Sequence, residues 1–334
     1  DHGASGAPAG PDGDGTMTLK PTHALWLAAF IGFALLPQFI AVKYYLHLSI
    51  LALIWVIAAQ GQNLIQGYTG YVSIVQAGFI GIGAYATTLL GMHYGLPVWL
   101  TILLAPLVTA AFAVGVGYPS LRVKGHYFAI VTLAFNLVIF IVLMNWHSLT
   151  GGEAGITGIP KPGSPDGFFN WRDRETYYYL VLIVAALMTG LAALIVRSRI
   201  GRILIAIRQN EDLVGAIGIS AWKYKLFAFV TSAMFAGLAG AIYAHYQSFI
   251  NPEIFGVAQS LDAILAVIIG GSGTIAGPVI GAFFVVFLPE YLRFADSFRL
   301  IIYGLVLVLA TIFMPRGIVG VVTSIADWIK RRRK

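Results

Sequence analysis

Residues 197–226 read "RSRIGRILIAIRQNEDLVGAIGISAWKYKL". Arg197, Arg199, Arg202, Arg208, Glu211, Asp212, Lys223 and Lys225 crowd together here, in a chain that is 58% hydrophobic and only 10% charged. Ile200, Ile203, Leu204 and Ile207 recur at i, i+3, i+4 and i+7, the apolar stripe of an amphipathic helix with arginines on its other faces. Such a segment is too short and too charged to cross a bilayer. It either lies on an anionic membrane surface or docks into the groove of a soluble partner.

Working outward, the rest of the chain is long apolar runs divided by short polar ones. The mean hydropathy is +0.83, and the 10% charged content is less than half the roughly 25% of a soluble globule. The expected fold class is therefore all-α, a polytopic integral membrane protein whose spans each need about 20 apolar residues. Apolar runs predict spans near 24–40, 46–66, 71–91, 97–118, 126–146, 177–196, 224–246 and 299–314. Two shorter helices, 259–271 and 276–291, complete about ten membrane-embedded helices and put both termini on one side. With that side cytoplasmic, the inner loops hold all of the 21 lysines and arginines except Lys43, Lys161, Arg172, Arg174, Arg293 and Arg299, the asymmetry that fixes orientation. The net charge of +7 thus belongs to span ends and lipid headgroups rather than to nucleic acid. The opening "DHGASGAPAGPDGDGT", residues 1–16, reads as a disordered leader or appended remnant, and 321–334 as a basic cytoplasmic tail.

Two glycine clusters interrupt the spans. "GQNLIQGYTGYVSIVQAG" (61–78) places Gly67 and Gly70 around Tyr68 and Thr69, and "GGSGTIAGP" (270–278) places Gly271 and Gly273 around Ser272. Unwound backbone at membrane depth persists only where it is buried or lines a wet cavity, and transporters put broken helices at substrate sites. Tyr68, Thr69, Ser73, Gln76 and Ser272 are accordingly the candidate pathway side chains; the alternative is that each cluster is a tight cytoplasmic turn. The amides Gln60, Gln62, Asn63, Gln76 and Asn136 either hold helices together or line a polar path. Asp262 reads as a helix cap.

Other chemistries find no motif. There is no G-x-x-x-x-G-K-[ST] to cradle a nucleotide and no cysteine, and the seven histidines have no ligand spacing. Neither an enzyme nor a metal site is expected. With the spans nearly free of ionisable groups, coupling to protons or sodium has little support.

The segment 197–226 and its continuation "FAFVTSAMFAGLAGAIYA" resemble the cytoplasmic loop and following span of the M-type permeases of branched-chain amino acid ABC importers. "LRVKGHYFAIVTLAF", "LTGGEAGITGIP", "VIIGGSGTIAGPVIGA" and "MPRGIVG" extend the resemblance over nearly all of 46–320. It implies one permease domain, 17–320, with a coupling loop at 197–222 that docks on an ATPase. Asp212, Leu213 and Val214 stand where the family's loop has Glu-Ala-Ala, and Gly218 stands for its glycine. Gly201, Arg202, Ile203, Ile207, Arg208, Asp212 and Gly218 are then the coupling candidates: Ile203 and Ile207 facing an apolar groove, Arg202 and Arg208 meeting acidic partner residues, Gly201 and Gly218 serving as hinges. The implied partners are a sister permease, two ATPase subunits that carry the ATP and Mg, a periplasmic binding protein and membrane lipid, in a bacterial inner membrane. The cargo implied is a branched-chain or other hydrophobic amino acid; the same architecture also serves urea and small organic acids. A stand-alone secondary carrier or channel is the rival reading.

Overall fold

The computed structural model describes residues 31–38, 43–163, 173–292, 304–305, 308 and 317–321. The chain divides into Asp1–Phe39, where 31–38 are helical, and Ile40–Lys334. The helices of the second unit are α1 (Lys43–Thr69), α2 (Gln76–Tyr94), α3 (Val98–Ser120), α4 (His126–Asn145), α5 (Arg174–Arg197), α6 (Arg199–Gln209), α7 (Glu211–Ala216), α8 (Ala221–Gln247), α9 (Val257–Gly270) and α10 (Ala276–Tyr291). Two-residue strands, β1 (Ile156–Thr157) and β2 (Phe249–Ile250), pair antiparallel with Ile156 opposite Ile250. The all-α membrane fold expected from the sequence is the fold seen.

Six of the described helices are long and apolar enough to cross a membrane: α1, α3, α4, α5, α8 and Pro252–Gly270, which joins a 3-10 turn to α9. α10 is shorter, and α2 is long but less apolar, since "QAGFIGIGAYATTLLGMHY" spends its positions on glycines and threonines. The reason is its place. α2 is enclosed by α8, α3 and α9, and its residues from Gln76 through Tyr85 are all buried, so close backbone packing matters more there than lipid solubility. The spans expected at 24–40 and 299–314 lie largely outside the described residues.

α1 is the centre. It packs against α5, α8, α9 and α10, and 89% of its apolar window is buried, against 22% for α4, which faces outward. α8 lies along α1, α2 and α3, and α2 and α8 touch backbone to backbone. A Cβ on Gly83 would collide with the Gly237 carbonyl oxygen, and one on Gly240 would collide with that of Ile80.

Between α1 and α2 the chain is non-helical over residues 70–75, turning at Gly70 with φ +79°. Gln62 Nε2 donates to the Ser73 carbonyl (2.9 Å) and Gln76 Nε2 to the Ala58 carbonyl (2.9 Å). Residues 70–75 therefore climb back beside α1, and α2 starts level with a point seven to eleven residues above Thr69, roughly 10 to 16 Å at 1.5 Å per residue.

Candidate functional site

The two glycine clusters meet. Asn63 on α1 donates from Nδ2 to the Thr274 carbonyl (2.9 Å) and accepts at Oδ1 from Gly273 N (2.9 Å), while Gln60 Nε2 donates to the Ile275 carbonyl (2.8 Å). These amides satisfy backbone groups of the unwound, half-buried turn between α9 and α10. Gly67 is still helical, contrary to its reading as a backbone break. Its role is proximity, for a Cβ there would lie 2.6 Å from Gly273 N. Gly70, Gly271 (φ +128°) and Gly273 (φ +77°) carry the actual turns. Arg208, at the end of α6, donates from Nη1 to the Gly67 carbonyl, and its side chain also lies against Gly70 and Gly273. The arginine expected to meet an acidic partner is thus spent within its own chain, bracing both breaks.

A second polar cluster surrounds the start of α2. Ala77 N donates to Ser260 Oγ (2.9 Å), Gly78 N to Asn136 Oδ1 (2.8 Å) and Ile74 N to Thr132 Oγ1 (3.0 Å). Ser232 Oγ donates to Gln76 Oε1 (3.1 Å). Of the candidate pathway residues, Tyr68, Thr69, Ser73 and Gln76 are buried and Ser272 is half-buried. Thr69 Oγ1 bonds the Ile65 carbonyl, back within α1. Gln76 and Ser73 belong to the α2 cluster, and Ser272 belongs to the junction with Asn63.

The basic segment forms two helices. Ser198 caps α6, its Oγ accepting from Gly201 N (3.4 Å). Gly201 is packed tightly, for a Cβ there would collide with the Val196 carbonyl oxygen. Asn210 caps α7, its Oδ1 accepting from Leu213 N (3.0 Å), and Gly218 ends the segment with φ +81°, open on its Cβ side. Ile207 is turned inward, in a cluster with Val214 and Ala221, with Ile203 packed at its edge. Arg202 is exposed, as is Asp212. The most exposed apolar side chains of this segment are instead Leu213 (64% exposed) and Ile217 (69%).

Two ion pairs fix this segment to the spans. Lys225, the fifth residue of α8, is buried, with Nζ 2.7 Å from Glu211 Oε1 and 3.1 Å from the Tyr71 hydroxyl, over whose ring it also sits at 4.5 Å. Tyr71 in turn donates to Glu211 Oε2. Burial works to raise the Glu211 carboxyl, but the bonds from Lys225 and Tyr71, with the Lys225 and Lys124 charges, outweigh it and hold Glu211 below its usual value. Lys124 bonds Asp212 at 2.7 Å on the surface, lowering the acid and raising the amine. Sequence reasoning missed Glu211, Lys225 and Tyr71 as a unit; the signal was a lysine placed just inside the start of a long apolar run.

At the opposite end, the loop with "TGGEAGITGIP" is strapped down by β1–β2 and by His245, whose ring bonds Thr87 Oγ1 (2.9 Å) and the Pro160 carbonyl (2.6 Å). Among the described residues no group of three or more His, Cys, Asp or Glu could hold a metal ion.

Comparison with known proteins agrees with this arrangement. Residues 44–311 match the family model described as branched-chain amino acid transport system / permease component. The high-affinity branched-chain amino acid transport system permease protein LivM of Salmonella typhimurium is 33% identical over 315 residues, covering 88% of this chain and 74% of that protein. LivM of Escherichia coli matches equally. BraD of Pseudomonas aeruginosa is 26% identical over 283 residues, covering 80% of this chain and 91% of its own length. No solved structure matches.

Proposed function

Because this chain belongs to the family of branched-chain amino acid transport system permease components, we propose that it is the M-type subunit of an ATP-driven importer. It pairs with a sister permease, receives a branched-chain or other hydrophobic amino acid from a periplasmic binding protein, and passes it through a bacterial inner membrane. The energy comes from two separate ATPase subunits, which hold the ATP and Mg. About ten helices leave both termini in the cytoplasm, the orientation supported by the lysine and arginine asymmetry.

The observation that carries this reading is α7 with its flank. Leu213 and Ile217 are exposed, while Glu211 beside them is tied through Lys225 and Tyr71 to the non-helical segment after Gly70. A short helix that is exposed on one side and anchored to the unwound backbone on the other can pass a push from a soluble partner into the spans. Coupling therefore centres on Leu213, Asp212 and Ile217, with Arg208 acting behind them on Gly67 and Gly273. The pathway runs beside the two breaks, past Tyr68, Thr69, Ser73, Gln76 and Ser272.

The test is uptake of labelled leucine into vesicles holding the chain with its sister permease, the ATPase subunits and the binding protein. Uptake should require ATP on the ATPase side only, and Ile217→Asp should release the ATPase from purified complex while the permease pair stays folded. Leucine uptake by vesicles without ATPase subunits would overturn the importer reading in favour of a secondary carrier.

A further inference from the structure

An α-helix begins with four N–H groups that have no partner within the helix, and α2 begins inside the protein, beside residues 58–62 of α1. Val75 at its N-cap supplies no side-chain bond. The missing acceptors come from other helices: Ser260 of α9 takes Ala77 N, and Asn136 of α4 takes Gly78 N. One step earlier, Thr132 of α4 takes Ile74 N. All three acceptors are uncharged and 0% exposed.

A second observation points to a ligand. Three buried polar atoms in this cluster have no hydrogen-bond partner among the described residues: Asn136 Nδ2, Ser73 Oγ and Gln62 Oε1. The Asn136 amide is held at the helix end by its own Oδ1, so its idle donor lies there too. Leaving such a group unpaired in a buried site is costly, and a site offering both idle donors and idle acceptors around a helix N-terminus suits a ligand that brings both kinds of group.

We propose that the N-terminal end of α2 is the subsite for the α-carboxylate of a zwitterionic amino acid, held shut in this state by Ser260, Asn136 and Thr132. The proposal rests on the transport reading above and deepens it. A carboxylate entering there exchanges neutral acceptors on Ala77 N and Gly78 N for charge-assisted bonds, and adds the attraction of the positive helix end. Asn136 Nδ2 becomes a further donor to it, while Gln62 Oε1 and Ser73 Oγ are acceptors for the α-ammonium. None of the side chains named is ionised, which fits a ligand of zero net charge; a lone ion would enter uncompensated. Because the three clamps belong to α4 and α9, binding also unfastens α2 from its neighbours.

The experiment is leucine uptake by the assembled transporter, with the binding protein and ATPase subunits unchanged so that differences between variants report on this chain. Asn136→Asp fixes a carboxylate at Gly78 N and should lower uptake by about tenfold or more, as expected of an occupied anion subsite. Ser260→Ala frees Ala77 N for the substrate and should lower KM for leucine by about threefold, the scale of one weak competing bond. Should Asn136→Asp fail to assemble, Ser260→Ala decides alone. Wild-type uptake in Asn136→Asp, or a Ser260→Ala effect confined to maximal rate with KM unchanged, would overturn the subsite and leave only a structural clamp. A wild-type complex that assembles and hydrolyses ATP yet moves no amino acid refutes the transport reading instead, so the two failures are distinguishable.

Discussion

Lys225 shows how one residue can join water to membrane. It is only 2% exposed, and the Glu211 side chain that answers its charge is 20% exposed. Removing one member of such a pair strands the other. Lys225→Met should therefore destabilise the protein by about 2 to 4 kcal/mol, short of the full penalty for a completely buried partner because Glu211 can still reach water; a thermal melt of purified protein measures it. The pair also has a pH window. A carboxyl whose folded value is depressed contributes stability that is fully present above its unfolded value, about 4.3, and is lost as pH falls through the lower folded value. The protection of amides in 210–220, after correction for the intrinsic pH dependence of exchange, should thus be unchanged between pH 7 and pH 5 and should fall only in stronger acid. Arg208 works differently, since its charge bonds a neutral carbonyl. Arg208→Ala should cost uptake more than stability, because it removes the bond from α6 to the Gly67 carbonyl and the side chain that lies against the turns at Gly70 and Gly273; parallel uptake and melting measurements separate the two. Neither residue's partner was legible in the sequence, where Arg208 is one more charge on an amphipathic face. Periodicity tells which side of a helix is apolar, not which carbonyl lies within reach of a long side chain.

Among the elements, those defined by lipid were legible and those defined by each other were not. α1, α3, α4, α5 and α8 fall close to the apolar runs because hydrocarbon length sets their size. The split into α9 and α10 followed from its glycines. α2 was expected from 71, but the chain is non-helical until Val75; nothing in "GYVSIV" announces that, and what holds it there is side chains from α1 and α4. The apolar stripe of α6 was read correctly as a stripe, yet its Ile207 covers α7 and the start of α8 rather than a partner. The α2–α8 contact is the element-scale feature most open to test. Gly240→Ala drives a methyl group into the Ile80 carbonyl oxygen, a backbone atom that cannot swing aside. The helices must separate, at a cost of about 1 to 3 kcal/mol or more for overpacking, and folded yield in detergent should fall. Gly215→Ala, where nothing lies within 4 Å, should leave yield unchanged.

For the whole molecule, orientation is the quantity to measure. The chain has no cysteine, so single cysteines can be introduced at position 153, in the strapped loop, and at position 330, in the basic tail. A membrane-impermeant thiol reagent should label the first from outside intact cells and the second only after permeabilisation. The central place of α1 also bears on how the protein is made. α1 leaves the ribosome before α9 and α10, yet Gln60 and Asn63 find their partners at Gly273, Thr274 and Ile275, as many as 215 positions later. At roughly 5 to 20 residues per second of synthesis, these amides wait on the order of 10 to 40 seconds in or beside the membrane before their acceptors exist. The nascent α1 must meanwhile be shielded by an insertase or by temporary neighbours, and a chain truncated before α9 keeps that need permanently. Such a fragment keeps amides without their partners in an apolar surrounding, a standing cost that the finished protein does not carry.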